Sequence, residues 1–208
     1  MLFRSRISVP LLFSQTAMGR IAAGFALRYP EVRLEVTTED RTVDMIEEGF
    51  DLVIRVNPAP DESLVGRVFL RDRLVVVAGP DLPAPAGGLP APAVVRSTGD
   101  RGAWDVKTKT GRSTIAIEPV LTLSSLVMVR DAVRAGVGAG RLPVSLVSHD
   151  LANGRLVHWG DVEGSDINLC TLYPSRRLLS ARVSAFLDYL KQAFPTGTPD
   201  ELAAYIAT

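Results

Sequence analysis

The sequence predicts an α/β protein of two lobes, in which the chain leaves the first lobe, builds the second and then returns. The first 55 residues alternate strand, helix, strand, helix and strand, an order that favours a parallel sheet covered by helices. This pattern breaks after Leu70 and resumes near Leu123, and an amphipathic helix follows the last strand. We therefore assign residues 1–72 and 173–208 to lobe I and residues 73–172 to lobe II.

The elements of lobe I follow from the spacing of its apolar residues. We predict a strand over residues 7–9, a helix with apolar residues at i, i+3, i+4 and i+7 over residues 18–25, and an alternating strand over residues 32–36. A short helix over residues 42–48, stopped by a left-handed Gly49, and an apolar strand over residues 51–55 come next. The last helices of the chain are predicted over residues 180–193 and around residues 202–206.

Lobe II is predicted to contain short strands, a loop and two helices. The loop is the stretch rich in proline, alanine and glycine between residues 79 and 92. The first helix begins at Ser124 and stops at Gly136, and the second covers residues 143–150. A strand at residues 64–70 completes the first segment of lobe I, and the strands of lobe II are expected at residues 74–78, 94–95, 104–106, 114–117, 120–123, 156–157 and 167–172.

Composition narrows the classes of function. The 23 basic and 23 acidic residues cancel, whereas proteins that grip a nucleic-acid backbone usually carry a basic excess. Cys170 is the only cysteine, which fits a reducing compartment. The first residues do not have the pattern of a secretion signal, and no apolar run is long enough to span a membrane. We therefore expect a cytoplasmic protein that does not bind DNA through these residues and does not contact a membrane.

Short motifs follow one another along nearly the whole chain. They are Ile7-Ser8-Val9-Pro10 and the stretches 25–32 (FALRYPEV), 44–55 (DMIEEGFDLVIR), 63–67 (SLVGR), 131–138 (DAVRAGVG), 142–143 (LP), 154–157 (GRLV) and 173–177 (YPSRR). In this order and spacing they resemble the effector-binding domain of LysR-type bacterial transcription regulators. The resemblance implies a fold like the type 2 periplasmic binding proteins, with two α/β lobes joined by crossover strands and an inducer site in the cleft.

The resemblance also implies partners. A regulator of this type is a homodimer or homotetramer, and it binds DNA through a winged helix-turn-helix and a linker helix that precede the effector domain. Met1 stands just before the first predicted strand, so that DNA-binding half is absent from this sequence. The expected ligand is a small-molecule effector such as an organic acid or an aromatic metabolite.

Polar residues at the starts of the two predicted helices are candidate ligand contacts. Ser14, Gln15 and Thr16 are expected at the N-terminus of the first helix, and Ser124 and Ser125 at that of lobe II. Helix N-termini offer free N–H groups and a positive potential, which suit an anion. Ordinary helix capping explains the same residues.

Three further residues are candidates for the same ligand. Ser97 and Thr98 follow an apolar strand in an irregular stretch, where an ordinary polar loop is the alternative. Arg55 ends an apolar strand, so its charge must be paired or must face a wet cavity. A structural ion pair near the junction of the lobes is the alternative for Arg55.

Other signals favour structural roles or are missing. The run from Gly136 to Gly140 follows a helix, which is the wrong order for a phosphate-binding loop, so a helix stop with tight packing is expected. We find no cluster of Cys and His for a metal, no nucleophile elbow and no catalytic acid–base pair. We therefore expect no cofactor and no enzyme, and the leading hypothesis is an effector sensor. A solute-binding protein of a transport system is the alternative, and an enzyme on the same fold, such as a prephenate-dehydratase-like one, is a third hypothesis.

Overall fold

The computed structural model describes residues 3–41, 44–45, 47–85, 89–96, 102–174 and 179–206, and it divides the chain into two compact units. Unit 1 contains Met1–Arg71 and Ile167–Ile206, and unit 2 contains Asp72–Asp166. The chain leaves unit 1 within strand Leu64–Ala78 (β4) and returns within strand Val157–Pro174 (β9). The return falls after Asp166 instead of at the expected residue 172, because residues 169–172 already pair with a strand of unit 1.

Unit 1 is built on the parallel sheet that the sequence predicts. Its central strand pairs in parallel with both neighbours, with Ile7 opposite Val36 on one side and opposite Leu52 on the other. The third strand then pairs antiparallel with β9. The elements of unit 1 other than β4 and β9 are β1 (Phe3–Val9), α1 (Leu11–Phe13), a π-helical turn (Ser14–Met18), α2 (Gly19–Arg28), β2 (Val32–Thr38), β3 (Leu52–Val56), α5 (Ala181–Ala193) and α6 (Pro199–Ile206).

The core of unit 1 forms between the sheet and the apolar faces of α2 and α5. Phe25 has 0% of its surface exposed, and its ring centroid lies 5.2 Å from that of Phe186 and 5.7 Å from that of Tyr189, both edge-on. Burial of one such side chain contributes about 1.5–3 kcal/mol, and the aromatic pairs add about 0.5–1.5 kcal/mol each. The predicted apolar face at Met18, Ile21 and Phe25 is therefore confirmed as the face that α2 and the turn before it bury.

The predicted helix over residues 42–48 falls only partly on described residues. Residues 42, 43 and 46 lie outside them, and residues 47–49 form a turn. Gly49 has a φ of +70°, which confirms its expected left-handed conformation. The N–H of Phe50 donates to the carbonyl oxygen of Met45 at 2.9 Å, which closes the turn directly before β3.

Unit 2 combines parallel and antiparallel strand pairs with two helices. The elements are β5 (Ala91–Val95), β6 (Gly102–Thr108), β7 (Gly111–Thr122), α3 (Leu126–Arg134), β8 (Gly140–Pro143) and α4 (Val144–Ala152), together with the unit 2 parts of β4 and β9. Strand β7 runs parallel to β5 and antiparallel to β6, and β8 pairs antiparallel with β4. Trp104 of β6 is almost fully buried in the core between these strands.

Several pairs of predicted short strands are single long strands. The predicted strands 64–70 and 74–78 are both part of β4, and 114–117 and 120–123 are both part of β7. Likewise 156–157 and 167–172 fall on or next to β9, whose 18 residues run from Val157 to Pro174. Polar residues interrupt the apolar pattern between the members of each pair, but a strand can continue wherever neighbours satisfy its backbone and its polar side chains face water or, like Asp72, accept hydrogen bonds.

Candidate functional site

The carboxyl ends of the three parallel strands of unit 1 meet at one edge of the sheet. Strand β1 lies between β2 and β3, so the residues after β2 and at the end of β3 flank the turn that joins β1 to α1. In open α/β sheets this edge is where ligands bind. It brings Ser8 and Asp40 to the same turn as the predicted candidate Arg55.

Arg55 holds a half-buried charge at this edge. Its Nη2 donates to Ser8 Oγ at 2.8 Å and its Nη1 to the carbonyl oxygen of Ile54 at 2.7 Å. Within the described part of the chain it forms no ion pair, so the structural ion pair expected as the alternative is not found there. Burial lowers the pKa of the Arg55 guanidinium, although the carboxylates of Glu39 and Asp40 act in the opposite direction.

Asp40 caps the first helix of the chain from another element. Its Oδ1 accepts a hydrogen bond from the N–H of Leu11 at 2.8 Å. Pro10, the residue before the helix, has no side-chain donor or acceptor for this purpose. Neither Asp40 nor the fully buried Ser8 is among the residues predicted from the sequence. The available signal was position, because Asp40 follows directly on the alternating strand that became β2.

Ser14, Gln15 and Thr16 do not begin a helix, so the expectation that they lie at its N-terminus is wrong. The helix begins at Leu11, and these three residues lie in a π-helical turn inside it. The hydroxyl of Ser14 donates to the carbonyl oxygen of Leu11 at 2.8 Å, and the hydroxyl of Thr16 donates to the carbonyl oxygen of Leu12 at 2.7 Å. The apolar run before Ser14 hid the true start, since it shows no capping residue. Such π-helical turns are frequent at functional sites, and ligand contact by these residues stays a prediction.

In unit 2 the N-terminus of α3 lies beside the end of β5. The N–H of Leu123 donates to the carbonyl oxygen of Val95 at 2.9 Å. Ser125 is the N-cap, and its Oγ accepts from the N–H of Val127 at 3.3 Å, so the helix begins at Leu126 instead of the predicted Ser124. Ser124 is exposed just before it. The other candidates of this lobe, Ser97 and Thr98, lie outside the described residues.

The glycine run after α3 is structural, as expected. Gly136 has a φ of +81° and ends the helix. A Cβ added to Gly138 would lie 2.7 Å from the carbonyl oxygen of Pro92, and one added to Gly140 would lie 2.8 Å from Cγ2 of Val133. Side chains are therefore excluded by close packing against β5 and α3.

A cavity of about 670 Å³ lies on unit 2 at the C-terminal end of α3, and its lining includes none of the predicted site residues. Three arginines line it, but each contacts a carboxylate. Arg130 pairs with Asp131 at 2.9 Å, and Asp150 is shared by Arg134 at 3.5 Å and Arg155 at 3.8 Å. Because each of these arginines already contacts a carboxylate, the cavity differs from Arg55, which forms no ion pair among the described residues.

Two further properties bear on function. Among the described residues, no group of three or more His, Cys, Asp and Glu side chains is arranged to hold a metal ion. No described helix has both the length and the apolar character required to cross a membrane.

Comparison with known sequences relates nearly the whole chain to one family of domains. A family model described as the LysR substrate binding domain matches residues 4–195. The chain is 28% identical over 196 residues to the uncharacterized HTH-type transcriptional regulator YhjC of Escherichia coli, covering 89% of this chain and 66% of that protein. It is 28% identical over 205 residues to the HTH-type transcriptional regulator PtxR of Pseudomonas aeruginosa, covering 91% and 64%. The chain thus spans slightly less than two thirds of these relatives.

Solved structures with similar folds belong to the same class of regulators. The regulatory domain of CrgA from Neisseria meningitidis has a TM-score of 0.73 at 23% identity, covering 93% of this chain and 100% of that domain. Full-length AphB, a virulence activator of Vibrio cholerae, has a TM-score of 0.75 at 21% identity, covering 91% of this chain and 68% of AphB. At these identities the similarity shows the fold alone, and it confirms the predicted α/β fold class.

Proposed function

Because the chain belongs to the LysR substrate binding domain family, we propose that it is the effector-sensing part of a transcriptional regulator. The observation that carries this proposal is the family match over residues 4–195, nearly the whole chain. The relatives named above are HTH-type transcriptional regulators, and each extends well beyond the region that this chain covers. They give no support to the alternative of a transport protein.

In this proposal the effector acts through its different affinities for two conformations of the domain. A ligand shifts a conformational equilibrium only by the difference between its binding free energies to the two states. Such coupling is typically about 1–3 kcal/mol. We infer that a separate N-terminal domain binds DNA, that the regulator is a cytoplasmic homodimer or homotetramer, and that the domain catalyses no reaction.

We place the effector contacts at or just after the carboxyl ends of strands in each unit. In unit 1 they are Arg55 and the π-helical turn with Ser14, Gln15 and Thr16. In unit 2 they are Ser124 and Ser125 at the start of α3, with Ser97 and Thr98 as further candidates from sequence. The unpaired cation of Arg55 supports an effector with an acidic group, because a half-buried charge is stabilised by an opposite charge.

Thermal unfolding of the chain with a panel of organic acids and aromatic compounds tests the proposal. A ligand that binds only the folded state, at 100 times its dissociation constant, adds about 2.7 kcal/mol of stability. For a chain of this size that corresponds to a rise of several degrees in the unfolding midpoint. We expect at least one acid to produce such a shift.

Variants then locate the contacts. We expect Arg55→Gln to abolish the shift, and Ser14→Ala, Thr16→Ala and Ser125→Ala to reduce it. Arg33→Gln is the matched control, because Arg33 is an exposed arginine on β2 of the same unit. A panel without any effective compound would contradict the proposed function. A shift that persists in every variant would contradict the proposed contacts.

A further inference from the structure

We propose that unit 2 has an anion site of its own, in which Arg130, Arg134 and Arg155 bind the phosphoryl group of a phosphate ester or of free phosphate. The site is the cavity at the C-terminal end of α3. It shares no residue with the proposed effector contacts. The inference therefore goes beyond the proposed function and does not depend on it.

Two elements of unit 2 bring the three arginines to this cavity. Arg130 and Arg134 are four residues apart on α3, so they lie on the same face of the helix. Arg155 follows α4, and its N–H donates to the carbonyl oxygen of Asp150 at 2.9 Å, which fixes the turn at the end of that helix. All three side chains line the cavity. The fold thus places three guanidinium groups around one open space.

The arginines and two aspartates form one chain of alternating charges. Asp131 contacts Arg130 at 2.9 Å and Arg134 at 3.9 Å. Asp150 contacts Arg134 at 3.5 Å and Arg155 at 3.8 Å, and its own side chain is only 8% exposed. An arginine therefore stands at each end of the chain. The chain as a whole has one more cation than it has anions, which favours an anionic ligand.

Two of the guanidinium groups retain donors for a ligand. Arg134 and Arg155 make no side-chain hydrogen bond among the described residues, and their closest contacts are the ion pairs of 3.5 and 3.8 Å with Asp150. A guanidinium group has five N–H donors in a planar fork that matches phosphate oxygens. The last carbonyl groups of α3 do not take these donors, because they accept from the backbone N–H groups of residues 135–137.

The spacing of the guanidinium groups fits an oxyanion that bridges them. Arg130 and Arg134 contact the same oxygen of Asp131, so the gap between their nitrogens cannot exceed the sum of 2.9 and 3.9 Å. Arg134 and Arg155 share one oxygen of Asp150 in the same way, at 3.5 and 3.8 Å. A phosphoryl group that accepts at about 2.8 Å on each side spans a gap of this size. Its three terminal oxygens also suit three arginines better than the two oxygens of a carboxylate.

The size of the cavity favours a phosphate ester over free phosphate. Its volume of about 670 Å³ lies within the usual range of small-molecule sites, about 300–1,000 Å³. That space admits an organic group beside the phosphoryl group, and Pro80 and Ala135 supply apolar lining for it. Asp81 also lines the cavity, but it forms no ion pair among the described residues and therefore offsets the positive charge only at longer range.

Isothermal titration calorimetry on the whole chain tests the inference with inorganic phosphate and with glycerol 3-phosphate. We expect both compounds to bind, and the ester to bind more tightly. Arg134→Gln and Arg155→Gln should each weaken binding about tenfold or more, because each removes charge-assisted hydrogen bonds to the phosphoryl group. Arg155→Lys keeps the charge without the planar fork, so its binding should lie between those of the wild type and Arg155→Gln.

Arg112→Gln is the matched control. Arg112 is an exposed arginine of unit 2 that also pairs with a carboxylate, that of Glu163 at 2.6 Å, but it does not line the cavity. This variant should bind both compounds as the wild type does. The side chain of Arg155 is 59% exposed, so its variants are expected to fold, and far-UV circular dichroism checks that they do.

The outcomes separate this site from the proposed effector contacts. Binding that weakens in the Arg134 and Arg155 variants alone would support the site, and the tighter compound would identify the source of the phosphoryl group. Absence of binding by both compounds would overturn the inference, as would binding that every variant retains. Phosphate binding that is lost in Arg55→Gln would also overturn it, because the anion would then lie in unit 1. None of these results contradicts the sensor proposal, whose test uses organic acids and other residues.

Discussion

Asp72 of β4 supplies the N-terminal cap of a helix that has no capping residue of its own. It is 7% exposed, and its Oδ2 accepts from the N–H of Ser145 in the first turn of α4 at 3.3 Å. Its Oδ1 accepts from the N–H of Arg73 at 2.8 Å. Pro143 precedes α4 and offers no side-chain acceptor. The first turn of α4 therefore depends on a residue 73 positions earlier in the chain.

Asp72→Ala should destabilise unit 2 by about 1–4 kcal/mol. The buried N–H of Ser145 loses its partner, which costs about 1–3 kcal/mol, and the half-buried N–H of Arg73 adds up to about 1 kcal/mol. Asp72→Asn keeps one carbonyl oxygen, so its loss should be smaller. Urea unfolding followed by tryptophan fluorescence measures this directly, because both tryptophans of the chain, Trp104 and Trp159, lie in unit 2. Asp81→Ala, an exposed aspartate of the same unit, is the control.

The pH dependence gives a second test with a definite sign. Burial raises the pKa of Asp72 above its ordinary value of 3.8. The folded state then binds the proton more tightly than the unfolded state, so this group's contribution to stability is full below pH 3.8 and is lost as pH rises through the raised pKa. The stability of the wild type relative to Asp72→Asn should therefore fall over that window. An Ala variant within 0.5 kcal/mol of the wild type, or a relative stability that rises with pH, would refute the reasoning.

Two packing predictions complete the set. Phe25→Ala should lower the free energy of unfolding by about 3–5 kcal/mol because it empties a fully buried aromatic site in unit 1. Urea unfolding followed by far-UV circular dichroism measures this loss. The control is Leu27→Ala, at a side chain 86% exposed, which should change stability by less than about 0.5 kcal/mol. Gly138→Ala should cost about 1–3 kcal/mol because its Cβ would lie 2.7 Å from the backbone oxygen of Pro92. Gly19→Ala, in a helix with open space around the added carbon, should instead stabilise by about 0.5–1 kcal/mol, and equal effects of the two glycine changes would contradict the packing argument.

The sequence by itself determined the kind and order of most elements and the class of protein. The apolar face of α2, the helices α3, α4 and α5, and the parallel strands of unit 1 all follow from periods of 3.6 and 2 residues, which are local properties of the chain. The motifs distributed from residue 7 to residue 177 were enough to indicate the family. The balance of basic and acidic residues indicated that the chain does not have a nucleic-acid-binding surface and favoured a small ligand instead.

Only the tertiary structure decided where long strands continue, where the first helix begins and which polar residues meet. The periodicity of apolar residues gives no information about hydrogen bonds between polar residues that are remote in sequence. Leu11 meets Asp40 across 29 positions, Ser8 meets Arg55 across 47, and Ser145 meets Asp72 across 73. These contacts depend on which strand lies beside which in the sheet. Strand order is set by the packing of the whole unit, and for that reason the caps by Asp40 and Asp72 and the contact between Arg55 and Ser8 could not be predicted from the sequence.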